Sequence, residues 1–238
     1  MKTVVGEGCS LGFSRWEVVL WDFDGTVANT APDVWLSLEN AARRFDRRLP
    51  DWFVSDPSNL SLPMTDICGA LLPPVGGNGV EAFEREVARQ YREVSNHELT
   101  APYPGVLETI RQLQRAGTLS LIVTNKPRLA LERILSVKGW AQLFNGWWCI
   151  DTQVKGRQTK SDLIASALGA VGRLPSECVL VGDSATDVVS AHQKHVTAIG
   201  VTYGDGSTSE MVAANPDYLA GDGRELREIL LGGSQVDR

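Results

Sequence analysis

The sequence predicts an α/β fold: a parallel sheet with helices on both faces and a small helical domain inserted into it. Three observations lead there. Short aliphatic and β-branched runs alternate with stretches of helical period, the pattern of a parallel sheet covered on both sides. Ninety-four residues separate the first run from the second, about seventy of them (31–100) beyond any core element, where a single crossover needs only about a dozen. In a chain of 238 residues, 43% hydrophobic against 22% charged residues supply a real core and exclude intrinsic disorder as the main state. Together they describe a helix-covered parallel sheet carrying a small inserted helical segment.

Five strands are expected, at Val18 to Asp24, Leu119 to Asn125, Trp147 to Asp151, Cys178 to Asp183 and Thr197 to Tyr203. Between them, Val106 to Arg115 carries Val106, Ile110 and Leu113 on one face and stops at Gly117, where glycine makes a left-handed C-terminal cap easy. Leu131, Ile134 and Leu135 stripe the next helix. Leu163, Ile164, Ala167 and Leu168 stripe a third, ending near Gly169 and Gly172, and Asp187 to Lys194 makes a fourth, shorter one. The long interval must hold its own structure. Val34, Leu38, Ala41 and Phe45 at its start and Val87, Tyr91 and Val94 at its end have helical spacing, with loop signals between at Asp56-Pro57, Leu62-Pro63 and Pro73 to Gly79. The expected domains are therefore a discontinuous core, 1–30 and 101–238, and a helical cap, 31–100, which rejoins the core through Pro102-Tyr103-Pro104-Gly105. Gly232 to Arg238 is expected as a frayed tail.

A net charge of −6, from 29 acidic and 23 basic side chains, leaves no global positive field for a phosphodiester backbone, so no nucleic-acid partner is expected. No apolar run approaches the roughly 20 residues that span a bilayer, and the first fifteen residues lack the apolar stretch of a signal peptide. The expectation is a soluble cytoplasmic protein with no membrane partner. Cys9, Cys68, Cys149 and Cys178 lie far apart without a Cys-x-x-Cys pair, which predicts buried free thiols rather than disulfides or a zinc site.

Open parallel sheets bind ligands at the carboxyl ends of their strands, and three strand ends here carry polar residues. The first runs into Asp22-Phe23-Asp24-Gly25-Thr26, with two carboxylates two positions apart that can face one side. Unpaired acids there repel one another unless a cation or a proton sits between them. A divalent metal accounts for them, although Asp24-Gly25-Thr26 alone also reads as a turn with Asp22 as a cap. The fourth strand ends Gly182-Asp183-Ser184, with Asp187 in the first turn of the next helix; N-capping explains one aspartate but does not require a second four positions on. Carboxylates from two strands suit Mg²⁺, which commonly pairs one or two of them with substrate phosphate. The second strand ends Thr124-Asn125-Lys126-Pro127, offering a hydroxyl and N–H groups beside a cation. Lys160 opens a helix whose N-terminus already favours anions, with Lys155 as a competing candidate.

Asp-x-Asp-Gly-Thr, Thr-Asn-Lys, Lys and Gly-Asp-x-x-x-Asp thus follow one another in chain order. In Asp-Phe-Asp-Gly-Thr-Val, Val-Thr-Asn-Lys-Pro and Val-Gly-Asp-Ser the chain resembles the haloacid dehalogenase superfamily of hydrolases, above all its phosphoglycolate phosphatase branch, over roughly Val18 to Asp222. The resemblance implies a Rossmann-like core with a helical cap inserted after the first strand, and it implies roles. Asp22 is then the nucleophile that attacks phosphorus, with one oxygen on Mg²⁺. Asp24 protonates the leaving oxygen and later activates water, while its backbone carbonyl binds the metal. Thr124 and Lys160 hold the phosphoryl oxygens, with Thr26 and Asn125 also on the substrate phosphate; Asp183 ligates Mg²⁺ and Asp187 supports that site. Crowding by neighbouring carboxylates is expected to keep a proton on Asp24 near neutral pH. The chain departs from the family's common pattern at Asn29-Thr30, where Asp-Ser is frequent, and at Ser161, where proline is frequent.

The expected activity is therefore Mg²⁺-dependent phosphomonoester hydrolysis through an aspartyl phosphate, on a small phosphorylated metabolite, phosphoglycolate first. A phosphomutase or a pyrophosphatase of the same fold keeps both acids. A 2-haloacid dehalogenase lacks the acid at the Asp24 position, and a non-catalytic binding module would have no use for the full set. Arg43, Arg44, Arg47 and Arg48 read as a solvated helix face, His192 and His195 as exposed polar residues, and Trp147-Trp148 as packing residues. Oligomeric state leaves no mark in the sequence.

Overall fold

The computed structural model describes residues 15–55, 59–60, 64–71, 79–151 and 158–232. Its strands are β1 (Val18–Trp21), β2 (Ala28–Asn29), β3 (Ala101–Pro102), β4 (Leu119–Thr124), β5 (Gly146–Cys149), β6 (Cys178–Gly182), β7 (Thr197–Val201) and β8 (Tyr218–Ala220). Helices α1 (Ala31–Arg44), α2 (Asp51–Val54), α3 (Met64–Leu71) and α4 (Gly79–Arg89) fall in the long interval, and a π-helical turn, Gln90–Val94, follows α4. Later come α5 (Val106–Arg115), α6 (Arg128–Val137), α7 (Lys160–Val171), α8 (Ala185–His192), α9 (Thr208–Ala213) and α10 (Gly223–Leu231).

Six strands make one parallel sheet in the order β5-β4-β1-β6-β7-β8. Strand β1 is buried throughout because both faces are covered: Val19 and Trp21 enter one apolar cluster, Val18 and Leu20 the other. Alternate side chains of a strand point to opposite faces, so a centrally placed strand must be apolar at every position. The α5 stripe of Val106, Ile110 and Leu113 is buried as its spacing predicts. Gly117, at φ +84°, takes the left-handed turn that ends this helix. Gly172 does the same for α7.

The sheet exceeds the sequence expectation by one strand. Tyr218–Ala220, at the edge, is only three residues long, too short for an alternating pattern to stand out. The expected strands also overrun. The ladders stop at Trp21, Thr124, Cys149, Gly182 and Val201, and the polar residues that follow are released into loops on the carboxyl rim.

Helices α1 to α4 close on an apolar cluster of their own that includes Leu38, Phe53, Ile67, Phe83 and Val87. The chain enters and leaves this segment side by side: Ala28 pairs with Pro102 and Asn29 with Ala101 in an antiparallel ladder too short to announce itself in sequence. Helix α6 holds the return path, with Arg133 Nε donating to Ser95 O at 2.6 Å and Lys138 Nζ to Glu98 O at 3.0 Å. The loop signals at Asp56-Pro57, Leu62-Pro63 and 73–78 lie outside the described residues, as do Cys9 and the tail from 233 on; Gly79 opens α4.

Among the described residues, Cys68 and Cys178 are buried free thiols and Cys149 is buried, and no helix is long and apolar enough to cross a membrane. All four arginines of the basic stretch are exposed, with Arg43 against Glu39 and Arg44 against Glu86. His192 faces Asp217 at 3.1 Å. Trp147 and Trp148 pack on opposite faces of the edge strand β5, one on each core cluster.

Candidate active site

Strands β4, β1 and β6 end side by side in the middle of the sheet, where the chain order reverses direction, the place in such sheets where ligands bind. Asp22 follows β1 at once, its N–H donating to Val181 O at 2.9 Å across to β6. Asp183 follows β6, Lys160 opens α7, and Asp187 lies in the first turn of α8. The four side chains converge although up to 165 positions separate them in sequence. Lys160 Nζ lies 2.7 Å from Asp22 Oδ1 and also contacts Asp187 Oδ1, all three groups being buried. Asp183 is fixed from a third side: its Oδ2 accepts from the N–H groups of Asp205 and Gly206, each at 3.0 Å, and its Oδ1 faces the Thr26 hydroxyl at 3.4 Å.

The charges of this cluster do not cancel. Asp22, Asp183 and Asp187 offer carboxylate oxygens within 4.8 Å of one another, and the single ammonium of Lys160 reaches two of them. Burial, with Asp187 and Asp183 adding to it against Lys160, pushes the Asp22 carboxyl up to about 7. Burial and Asp187 likewise push Asp183 up to about 6, against the pull of the Gly206 and Asp205 N–H groups and of Lys160. For Lys160, burial disfavours the ammonium, yet Asp187 and Asp22 hold it above the usual lysine range. A dry set of three acid oxygens with one cation fits a hard divalent ion such as Mg²⁺, which takes oxygen ligands and would balance the excess negative charge.

Asp24 stands apart from this trio. Its Oδ1 accepts from Lys126 Nζ at 2.8 Å and from Thr30 Oγ1 at 2.5 Å. Within the trio the carboxylate crowding falls on Asp22, while the turn at Gly25 leads Asp24 to Lys126. Thr124 is buried, with its hydroxyl accepting from the Lys126 N–H at 3.2 Å. Asn125 is exposed and, with Thr159, Lys160 and Thr186, lines a cavity of about 720 Å³ beside the cluster. Thr26 is fully buried. Lys155 lies outside the described residues.

The local sequence explains this geometry. Gly25 has φ +75°, and a Cβ there would overlap the Asp183 carboxylate, so only glycine can make this turn. Asp187 answers to capping after all. Ser184 is the N-cap of α8, and Asp187, at the third helical position, accepts from both the Ser184 N–H (3.0 Å) and its hydroxyl (2.6 Å). This capping box orients the carboxylate while its other oxygen meets Lys160. The sequence reading missed several supports: Lys126 as the partner of Asp24, Thr30 and Tyr91 beside it, and the Gly204-Asp205-Gly206 turn that holds Asp183. Lys126 alone carried a signal, as the last residue of Thr-Asn-Lys.

A family model described as haloacid dehalogenase-like hydrolase matches residues 19–201. The chain belongs to that family. Within it, this hydrolase resembles phosphoglycolate phosphatases: it is 27% identical over 231 residues to one from Haemophilus influenzae (strain 86-028NP), across 91% of this chain and 99% of the relative. Another, from Pasteurella multocida (strain Pm70), is 27% identical over 236 residues with the same coverage. Among solved structures, a predicted phosphoglycolate phosphatase from Haemophilus somnus 129pt superposes with a TM-score of 0.76 at 23% identity, over 92% of this chain and 99% of that one. A CbbY mutant from Rhodobacter sphaeroides in complex with xylulose-(1,5)bisphosphate gives 0.70 at 17% identity, over 89% and 96%. Likeness at this level of identity speaks for the fold, and its helix-flanked parallel sheet is the one observed.

Proposed function

We propose that this hydrolase is a Mg²⁺-dependent phosphatase that cleaves phosphomonoesters of small metabolites through an aspartyl phosphate on Asp22. The observation that carries this reading is the convergence of Asp22, Asp183 and Asp187 on Lys160 at the carboxyl rim of the sheet. Asp22 and Asp183 would hold Mg²⁺, with the Asp24 main-chain carbonyl, and Asp187 would support them. When bound, the ion supplies charge neutralisation for the phosphoryl oxygens and for the attacking carboxylate.

The residues of the chain do the rest. An Asp22 oxygen attacks phosphorus as the bond from phosphorus to the ester oxygen breaks, and Asp24 gives its proton to that leaving oxygen. The Asp24 carboxylate then takes a proton from water, whose oxygen attacks the phosphoryl group; inorganic phosphate leaves and Asp22 is restored. Lys160 favours the ionised form of Asp22 and holds it in place through the 2.7 Å contact, and it offsets the charge of the phosphoryl oxygens together with Thr26, Thr124 and Asn125. The insert, 31–100, acts as a cap domain on a core of 1–30 and 101–238 and selects the substrate. Phosphoglycolate is the first candidate, on the strength of the relatives' names, in a cytoplasmic setting.

Hydrolysis of p-nitrophenyl phosphate tests the reaction class. Turnover that rises with Mg²⁺ and vanishes in excess chelator is expected; undiminished turnover in chelator removes the metal from the mechanism. A panel of phosphorylated acids, sugars, nucleotides and pyrophosphate tests the substrate. No preference for phosphoglycolate discards that substrate and leaves the reaction class intact.

A further inference from the structure

Lys126 is buried, its side chain 3% exposed, and it belongs to neither the acidic trio nor the phosphate-binding set. A lone ammonium out of water is strongly disfavoured unless it is paired, and this one is paired on two sides. Its Nζ donates to Asp24 Oδ1 at 2.8 Å and to the Tyr91 hydroxyl oxygen at 2.5 Å, with the Tyr91 ring centroid 4.7 Å away. Asp24 and Lys126 belong to the core. Tyr91 comes from the π-helical turn at the end of the insert, so the lysine joins the two parts of the molecule at the acid that must serve the leaving group.

We propose that Lys126, clamped between Asp24 and Tyr91, is a positioning residue that orients the leaving-group acid only when the insert is seated on the core. The inference rests on the phosphatase reading above and adds to it which residues tie the acid to the insert. Both bonds that hold Asp24, from Lys126 and from Thr30, fall on Oδ1, which leaves Oδ2 to hand the proton to the ester oxygen as its bond to phosphorus breaks. Thr30 is the residue just before α1, so it too lies at the entry to the insert. If the insert lifts, Tyr91 leaves with it, and Lys126 loses one of its two partners. Lys126 itself is too deeply buried to touch substrate.

The test compares p-nitrophenyl phosphate with phenyl phosphate, esters of similar size that differ in how much the departing oxygen needs a proton. The quantity read is kcat/KM, which reports the first, leaving-group step. Tyr91→Phe keeps the ring and removes the hydroxyl; Lys126→Met removes the charge. The expected result is a fall in the ratio of phenyl to p-nitrophenyl phosphate kcat/KM, severalfold in Tyr91→Phe and tenfold or more in Lys126→Met. Equal losses on both esters overturn the positioning role. Wild-type protein idle on both esters would overturn the phosphatase reading first, and this inference with it.

Discussion

Lys160 Nζ lies 2.7 Å from Asp22 Oδ1 while it also contacts Asp187, so one buried ammonium serves two carboxylates, one just past the end of β1 and one in the first turn of α8. Its position at the start of α7 is fixed by a capping box, in which the Thr159 hydroxyl accepts from the Asp162 N–H and the Asp162 carboxylate accepts from the Thr159 N–H. Replacing Lys160 by methionine keeps the length of the side chain and removes the charge. We expect kcat to fall about 10²–10³-fold, the range for losing one preorganised electrostatic contact in a dry site. Steady-state kinetics with p-nitrophenyl phosphate measure it, and a loss below tenfold would take Lys160 out of the chemistry.

Gly25 and Gly117 separate backbone strain from site geometry. Both have positive φ, but a Cβ on Gly25 would meet the Asp183 carboxylate, whereas one on Gly117 meets nothing within 4 Å. Each alanine variant is expected to lose about 1–2 kcal/mol for the left-handed conformation. Only Gly25→Ala should also lose activity, about 10²-fold, because it displaces Asp183. Chemical denaturation and kcat/KM on the same samples check both parts; full activity in Gly25→Ala contradicts the close fit.

His97 predicts a pH dependence of stability. It is fully buried, neither ring nitrogen has a hydrogen-bond partner among the described residues, and its ring packs edge-on against Tyr91 at 5.0 Å. Burial, helped by the Lys126 charge, lowers it to about 4, below the ordinary ~6.5 of an unfolded chain. Below pH ~6.5 the unfolded state therefore takes up the proton first, so stability is complete above that pH and declines as pH falls toward 4, by up to about 3 kcal/mol. Urea unfolding at pH 7 and pH 5 should show this decline in the wild type and a smaller one in His97→Asn, a residue that tolerates the positive φ of 51° found here. Equal declines in both proteins would exclude His97 as the source.

The centre of the fold was legible in sequence because its strands are buried on both faces and so read as unbroken apolar runs, as Val18–Trp21 does. The parts that escaped are the short ones. Strand β8 has three residues, and β2 and β3 have two each, below the length at which any period can be counted. The candidate site divides in the same way. Asp22, Asp183, Asp187 and Lys160 sit at ends of strands and starts of helices, where topology alone brings them together. The pairing of Asp24 with Lys126 and Tyr91 depends on the direction of one turn and the seat of an inserted segment, neither of which leaves a local pattern.

Hydrolysis by this route requires Asp22 to carry the phosphoryl group. Mass spectrometry of acid-quenched protein mixed with Mg²⁺ and p-nitrophenyl phosphate reads this directly. The expected result is a phosphoryl adduct on the peptide that contains Asp22, lost when chelator is present and lost in Asp22→Asn, which also ceases to turn over. Turnover that persists in Asp22→Asn, or an adduct located on any other residue, would contradict it.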